Sequence, residues 1–228
     1  MKVRVASYNV HGFVGADGVR DVRRAAAVVT SLQADVIALQ EVGFAESEDE
    51  PGELLAALTG YTAVAAPIQR RDGFRHGNVV LTRLPVMRST RICLDFEAHE
   101  PRTAIEVWLQ TPGTPLRVIA THLGLRPVER RHQVRTILSH VADDENAVTV
   151  LLGDFNEWFL IGRPLRWLHR RFGRSEGVAT FPASRPLFAL DRIWVHPPSS
   201  LRAFRAITSA EIRVTSDHLP VVAELEVG

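Results

Sequence analysis

A chain of 228 residues can build one sizeable core and is short for two independent ones. Its 46% apolar and 23% charged residues exclude a disordered chain, and a formal net charge of +1 gives bulk electrostatics no reason to nominate nucleic acid. No apolar run approaches the roughly 18 residues that cross a bilayer as a helix. The lone cysteine, Cys93, excludes an intrachain disulfide and points to a reducing, cytoplasmic setting. In its apolar context, between Ile92 and Leu94, it reads as packing and not as a nucleophile. Lys2 is the only lysine, so every other basic side chain is arginine. Guanidinium forks suit phosphate, but codon usage in a GC-rich genome produces the same bias, so this feature decides nothing.

In chain order, residues 3–8 alternate in character with charge inside them, which reads as a strand and not a signal peptide. A helical stretch at 19–33 leads to a short strand at 36–39, and a helix at 52–59 precedes strands at 61–65 and 78–81. Two further strands, 104–109 and 116–121, come before a helix at 127–141. Strand 148–152, helix 162–172, strand 192–195 and a last strand at 221–227 complete the pattern. Strands outnumber helices, and several connections are too short for a helical crossover, so the pairing is mostly antiparallel. Two sheets packed face to face with helices outside, an α+β fold, is the economical arrangement. No linker or repeat divides the chain, so residues 1–228 are expected to form one domain, and a monomer.

Strand after strand ends in a polar residue that a buried strand end does not need. The first delivers Asn9, the second Gln40-Glu41, the sixth His122 and the seventh Gly153-Asp154-Phe155-Asn156; Ser216-Asp217-His218 precedes the last. One Asn or Asp after a strand is usually a turn residue, but loops at strand ends are also where rigid elements hold ligand-binding groups. Carboxylates from Glu41, Asp154 and Asp217, with amides from Asn9 and Asn156, suit a hard cation such as Mg²⁺ (or Mn²⁺), which takes oxygen ligands. His122 and His218 suit proton transfer or donation to a phosphoryl oxygen. Six other histidines, at 76, 99, 132, 140, 169 and 196, read as surface or core residues. The chemistry that fits is phosphoester hydrolysis.

These residues stand in blocks: Ser7-Tyr8-Asn9-Val10, Leu39-Gln40-Glu41, residues 77–85 (beginning Gly77-Asn78), Thr121-His122-Leu123, Gly153-Asp154-Phe155-Asn156, Leu190-Asp191-Arg192-Ile193 and Ser216-Asp217-His218-Leu219-Pro220. Their order resembles the endonuclease/exonuclease/phosphatase superfamily across residues 3–222. The resemblance implies a four-layer α/β/β/α sandwich (DNase I-like) with Glu41 as principal metal ligand, assisted by Asn9. Asp217 would be a second ligand or an orienting group. By the same resemblance, Asp154 orients or deprotonates the attacking water beside Asn156. His218 contacts the scissile phosphate, hydrogen-bonded to Asp191, and His122 stands near the leaving group. Arg102 resembles a phosphate-binding arginine, with a plain surface charge as the other reading; Asn78 stands at the site rim or caps a strand.

Two departures from the family pattern stand out. Abasic-site endonucleases carry an aspartate two residues after the first asparagine, where this chain has His11, and the chain is short for the superfamily. Residues 121–125 and 180–183 resemble small bacterial members closer to sphingomyelinase-like phosphodiesterases. The substrate stays open between nucleic acid, a phospholipid head group and a small phosphorylated metabolite; a non-catalytic phosphate-recognition domain is the reading from another class, and Glu41, Asp154, Asn156, Asp191 and His218 speak against it. The basic, aromatic-bearing stretch 163–174 contacts nucleic-acid phosphates, lies on an anionic membrane surface, or is a solvated helix with its apolar face on the core.

Overall fold

The computed structural model describes residues 1–45, 51–67, 74–141 and 146–228. Its eleven strands are β1 (Lys2–Asn9), β2 (Val36–Ala45), β3 (Thr62–Pro67), β4 (Phe74–Thr82), β5 (Val86–Cys93), β6 (Thr103–Leu109), β7 (Leu116–His122), β8 (Val148–Asp154), β9 (Asp191–His196), β10 (Leu201–Ala206) and β11 (Val221–Glu226). Helices α1 (Val22–Ser31), α2 (Pro51–Thr59), α3 (Pro127–His140), α4 (Arg163–Phe172) and α5 (Ala210–Thr215) are set between them. The first sheet has the order β10-β11-β1-β2-β4-β3 and the second β5-β6-β7-β8-β9.

The sheets are antiparallel except at β1/β2 and β7/β8. A parallel neighbour needs a crossover, and α1 and α3 are those crossovers. Asp21 caps α1, accepting from Arg23 N at 2.9 Å and Arg24 N at 3.1 Å, which starts the helix three residues later than the apolar pattern suggests. Pro127 opens α3 in a first-turn position where its missing N–H costs nothing.

Val5, Val36, Ala38 and Val80 of the first sheet pack against Val107, Val118, Val150 and Leu152 of the second, making the central apolar layer. Helices α1, α2 and α5 cover the outer face of the first sheet, and α3 and α4 that of the second. The result is the expected four-layer α/β/β/α sandwich. The apolar face of α4, Leu165, Leu168 and Phe172, is buried in the outer core of the second sheet, while Arg163, Arg166 and Arg170 point to solvent.

Three elements escape the apolar pattern. Strands β5, mostly exposed, and β10, mostly half-buried, are sheet edges, and neither shows a fully buried apolar stripe. Helix α5 is only six residues long. Cys93, expected to pack, is exposed at the end of β5, because alternate residues of an edge strand face opposite sides and Ile92 takes the core side.

Register decides where the polar strand ends meet. Asn9 pairs with Gln40 across β1/β2, His122 with Asp154 across β7/β8, and Asp154 with Asp191 across β8/β9. In β2 the pairing with β4 shifts between Leu39 and Val42, so that Gln40 and Glu41 together face Asn78. This bulge holds Glu41 at φ 53° and turns its side chain out of the ladder.

Gly153 shows why Gly precedes Asp154. Its φ is 148°, and a Cβ there would lie 1.8 Å from the Thr121 carbonyl oxygen on the neighbouring strand. We expect Gly153→Ala to cost at least about 3 kcal/mol in urea unfolding, from clash and backbone strain together. Gly60→Ala, at φ 73° with nothing nearby, should cost only about 1–2 kcal/mol. Equal losses at the two positions would contradict the close-approach argument.

Candidate active site

Asn9 joins the two sheets. Its buried side chain donates from Nδ2 to Glu41 Oε1 at 3.0 Å and to Asp154 Oδ2 at 3.1 Å, while its Oδ1 accepts from His11 N at 3.0 Å. Ser216 Oγ donates to the Asn9 carbonyl at 2.7 Å and steadies it from the last loop. One amide thus gathers a carboxylate from each sheet.

Asp154 is 1% exposed. Its Oδ1 accepts from Asn156 N at 2.9 Å, an arrangement made possible by the left-handed backbone of Asn156 at φ 48°. Burial pushes its carboxyl up to about 6, against the pull of His218 and the hydrogen bonds from Asn156 and Asn9. The group is therefore ionised at neutral pH but more basic than an ordinary aspartate.

The two histidines have opposite characters. His218 Nδ1 lies 2.8 Å from Asp191 Oδ2, the expected pairing, and Thr180 Oγ1 donates to the same oxygen at 2.5 Å. Burial pulls the imidazole down, but Asp191 and Asp154 outweigh it and hold the group up at about 10, so His218 is an imidazolium. Its Nε2 points to Asp154 Oδ2, 3.7 Å away. The Phe181 ring lies 4.9 Å from the imidazole and screens it from solvent.

His122 is driven well below the ordinary histidine value by burial and then by Arg102. Arg102 Nη1 stands 3.0 Å from His122 Nδ1. Asn156 Nδ2 stands 3.1 Å from Nε2, so both ring nitrogens face groups that only donate, and the neutral imidazole accepts from one of them. His122 Nε2 lies 3.6 Å from Asp154 Oδ2 and 3.8 Å from Glu41 Oε1. The same Asn156 Nδ2 donates to the Leu123 carbonyl at 2.9 Å.

Eight of the ten residues singled out in the sequence are linked here by direct contacts: Asn9, Glu41, Arg102, His122, Asp154, Asn156, Asp191 and His218. Arg102, expected to clamp phosphate, reaches the site from behind His122, with Nη2 donating to Glu100 Oε2 at 2.8 Å. Asn78 is buried opposite the Glu41 bulge and donates to the Thr103 carbonyl at 2.8 Å, which ties β4 to β6. Asp217 is half-exposed on the rim, its carboxylate 3.8 Å from His11 Nδ1. Thr180 and Phe181 belong to the site as supports of Asp191 and His218, and only their place shortly before Asp191 hints at it. His76, set aside in the sequence, lies beside Gly12 and Gly43 near the opening and bears electrostatically on His122. Nothing in its sequence context marks it.

The donor set fits a hard cation. Glu41 and Asp154 offer converging oxygens, and Asp154, Asp191 and His218 hold potential ligand atoms within 4.8 Å of one another. In that cluster His218 Nδ1 is already committed to Asp191, so the candidate ligands are the partly exposed Glu41 and the buried Asp154, whose oxygens keep lone pairs beside the hydrogen bonds they accept. Carboxylates outnumber the imidazolium that faces them, an imbalance a divalent cation corrects.

Removing one partner of the buried Asp191–His218 pair strands a charge. Asp191→Ala is expected to cost about 3–5 kcal/mol of unfolding free energy. Glu41→Ala, which only relieves crowding at the opening, should stay within about 1 kcal/mol of the parent. Urea midpoints of the two variants test this, and a larger loss for Glu41→Ala would refute the assignment of structural weight.

A sequence model of the endonuclease/exonuclease/phosphatase family matches residues 6–218. The protein YbhP of Escherichia coli (strain K12) is 33% identical over 159 residues, covering 66% of this chain and 62% of YbhP, so the chain spans less than two thirds of that relative. Among solved structures, an endonuclease/exonuclease/phosphatase from Beutenbergia cavernae DSM 12333 shares the fold with a TM-score of 0.81 and 24% identity, over 100% of this chain and 72% of that one. The Bacteroides thetaiotaomicron VPI-5482 mannosyl-6-phosphatase Bt3783 matches with a TM-score of 0.77 and 17% identity, over 99% of this chain and all of that one. With the ordered blocks, the paired sheets and the gathered carboxylates all agreeing, the chain belongs to the endonuclease/exonuclease/phosphatase family.

Proposed function

We propose that the chain is a divalent-metal-dependent phosphodiesterase in which Asp154 activates water for in-line attack at phosphorus. The observation that carries this reading is the buried Asp154 carboxylate, raised to about 6, set between Asn9, Asn156 and the His218 imidazolium. A general base works best with a pKa near the operating pH. Glu41 and Asn9 would hold the cation, Mg²⁺ or Mn²⁺, with Asp217 in reserve at the rim. When bound, the cation neutralises charge on the phosphoryl oxygens.

The other groups divide the remaining work. Asp154 takes the proton of a water that Asn156 helps to orient. His218, held charged by Asp191, donates from Nε2 to a phosphoryl oxygen as negative charge develops there. His122, held neutral by burial and Arg102, stands near the leaving oxygen. Arg102 adds positive charge behind it, and Asn78 fixes the strand that faces the bulge. We read residues 1–228 as one domain and a monomer, working in a reducing cytoplasm in keeping with its single, exposed Cys93.

A phosphomonoesterase acting on a small phosphorylated metabolite is the second reading, favoured by the fold shared with a mannosyl-6-phosphatase. Bis-p-nitrophenyl phosphate against p-nitrophenyl phosphate separates the two: faster turnover of the monoester would sink the diesterase reading.

Chelation with EDTA followed by dialysis should abolish hydrolysis, and Mg²⁺ or Mn²⁺ should restore it; undiminished turnover without metal would overturn the metal requirement. Asp154→Asn keeps the shape but loses the base, so kcat should fall by roughly 10²–10⁴. His218→Ala should cost about 2.7–4 kcal/mol of transition-state stabilisation, the scale of one aimed donor.

Direct attack by water is a single displacement. A chiral phosphorothioate diester should therefore be hydrolysed with inversion at phosphorus and uptake of one solvent oxygen. Retention of configuration would indicate two displacements and a covalent enzyme intermediate.

A further inference from the structure

The segment that follows the Asp154 turn is unusual for a water-facing surface. Trp158, Phe159, Leu160 and Ile161 are consecutive, and they are 41%, 66%, 71% and 82% exposed. Exposed apolar residues are ordinary when scattered, but a contiguous run marks a surface that something covers. Leu125 is exposed in the loop before α3 and Val128 in its first turn, and Leu187 and Phe188 in the turn before β9.

The run is held rigidly. Glu157 is buried, accepts from Arg130 Nε at 3.3 Å and Nη2 at 3.4 Å, and accepts at Oε1 from Phe159 N at 3.3 Å. Arg130 Nη1 also donates to the Leu125 carbonyl at 2.7 Å, which sets the second apolar loop beside the first. Gly162 closes the turn against the Glu157 carboxylate, where a Cβ would lie 2.6 Å from its Cδ. Trp158 packs edge-on against Phe188 at 4.8 Å and Phe181 at 5.8 Å, and Phe181 touches His218. An aromatic path therefore runs from the exposed loop to the reacting centre.

Charge names the occupant. Between Glu157 and Glu176 the chain carries Arg163, Arg166, Arg170, Arg171 and Arg174 and no carboxylate. Arg126, Arg163 and Arg166 are exposed next to the apolar residues. Apolar side chains at a tip, ringed by arginine, match a bilayer with anionic head groups. Leu160 and Ile161, the most exposed members, neither stack on bases nor form hydrogen bonds, which disfavours a nucleic acid. A second copy across a two-fold axis would set arginine against arginine.

We propose that loop 158–161 and its arginine collar dock the protein on an anionic lipid bilayer, delivering a lipid-borne phosphoester to the site. The substrate part rests on the phosphoesterase reading above; the docking part does not. No helix among the described residues is long and apolar enough to cross a membrane, so the attachment is peripheral.

The test uses sedimentation with phosphatidylcholine vesicles, with and without phosphatidylglycerol. The full chain should bind the anionic vesicles, and high salt should weaken the binding. The triple variant Phe159→Ser, Leu160→Ser, Ile161→Ser should bind at least about tenfold more weakly, the effect of losing a few inserted methylenes. Arg163→Glu with Arg166→Glu should lose the preference for phosphatidylglycerol. Both variants should keep turnover of soluble bis-p-nitrophenyl phosphate, which also reports that they fold. Asp154→Asn should bind vesicles like the parent, so a failure of catalysis and a failure of docking are read separately. No binding to anionic vesicles by the parent would overturn the proposal. So would retention of single-stranded DNA, or a dimer in gel filtration, abolished by the triple variant in the absence of vesicle binding.

Discussion

The Asn9 side chain is the contact on which the site depends, because it bonds to a carboxylate of each sheet. Its Nδ2 donates to Glu41 and to Asp154, and its backbone oxygen is gripped by Ser216. Two carboxylates drawn together repel each other, and here a shared donor offsets that repulsion. The arrangement is possible only because β1 and β8 cross near each other at the ends where their parallel partners deliver Gln40 and His122. Two helical crossovers on opposite outer faces of the sandwich thus aim two strand ends at one point.

Electrostatics then divides the site into unlike halves. Asp191 and Asp154 keep His218 charged despite its burial, while Arg102 and the same burial keep His122 neutral. Neighbouring groups, not residue type, assign the roles: one imidazole becomes a charged donor and the other stays neutral. Thr180 and Phe181 complete the first half from a loop that belongs to neither sheet core. The sandwich supplies stiffness, and the loops supply the chemistry.

The exposed apolar loop follows the same economy. Its members contribute nothing to the core, yet a buried ion pair, Arg130–Glu157, holds the loop to the start of α3. A buried pair of this kind adds little net stability against an apolar replacement, so its value lies in fixing where the loop points. Rigidity at that position keeps the rim aligned with His218 through Trp158 and Phe181.

Much of this was legible in the residues alone. Period-two apolar runs located the buried strands, helical stretches at 19–33, 52–59, 127–141 and 162–172 located α1 to α4, and the ordered blocks ending in Asn9, Glu41, His122, Asp154 and His218 named the family and most of the site. Edge strands β5 and β10 were not legible, because these two bury too little of either face to write a pattern, whereas edge strand β9 is covered on both faces and was. Nor were the partners of Arg102, the rim position of His76, or the support that Thr180 gives Asp191. Each depends on which strand lies beside which, and on the bulge at Glu41. Local sequence sets the polarity and period of each element through backbone sterics and burial. The meeting of side chains more than a hundred residues apart, such as Asn9 with Asp154, is decided by register and sheet packing, which only the folded chain contains.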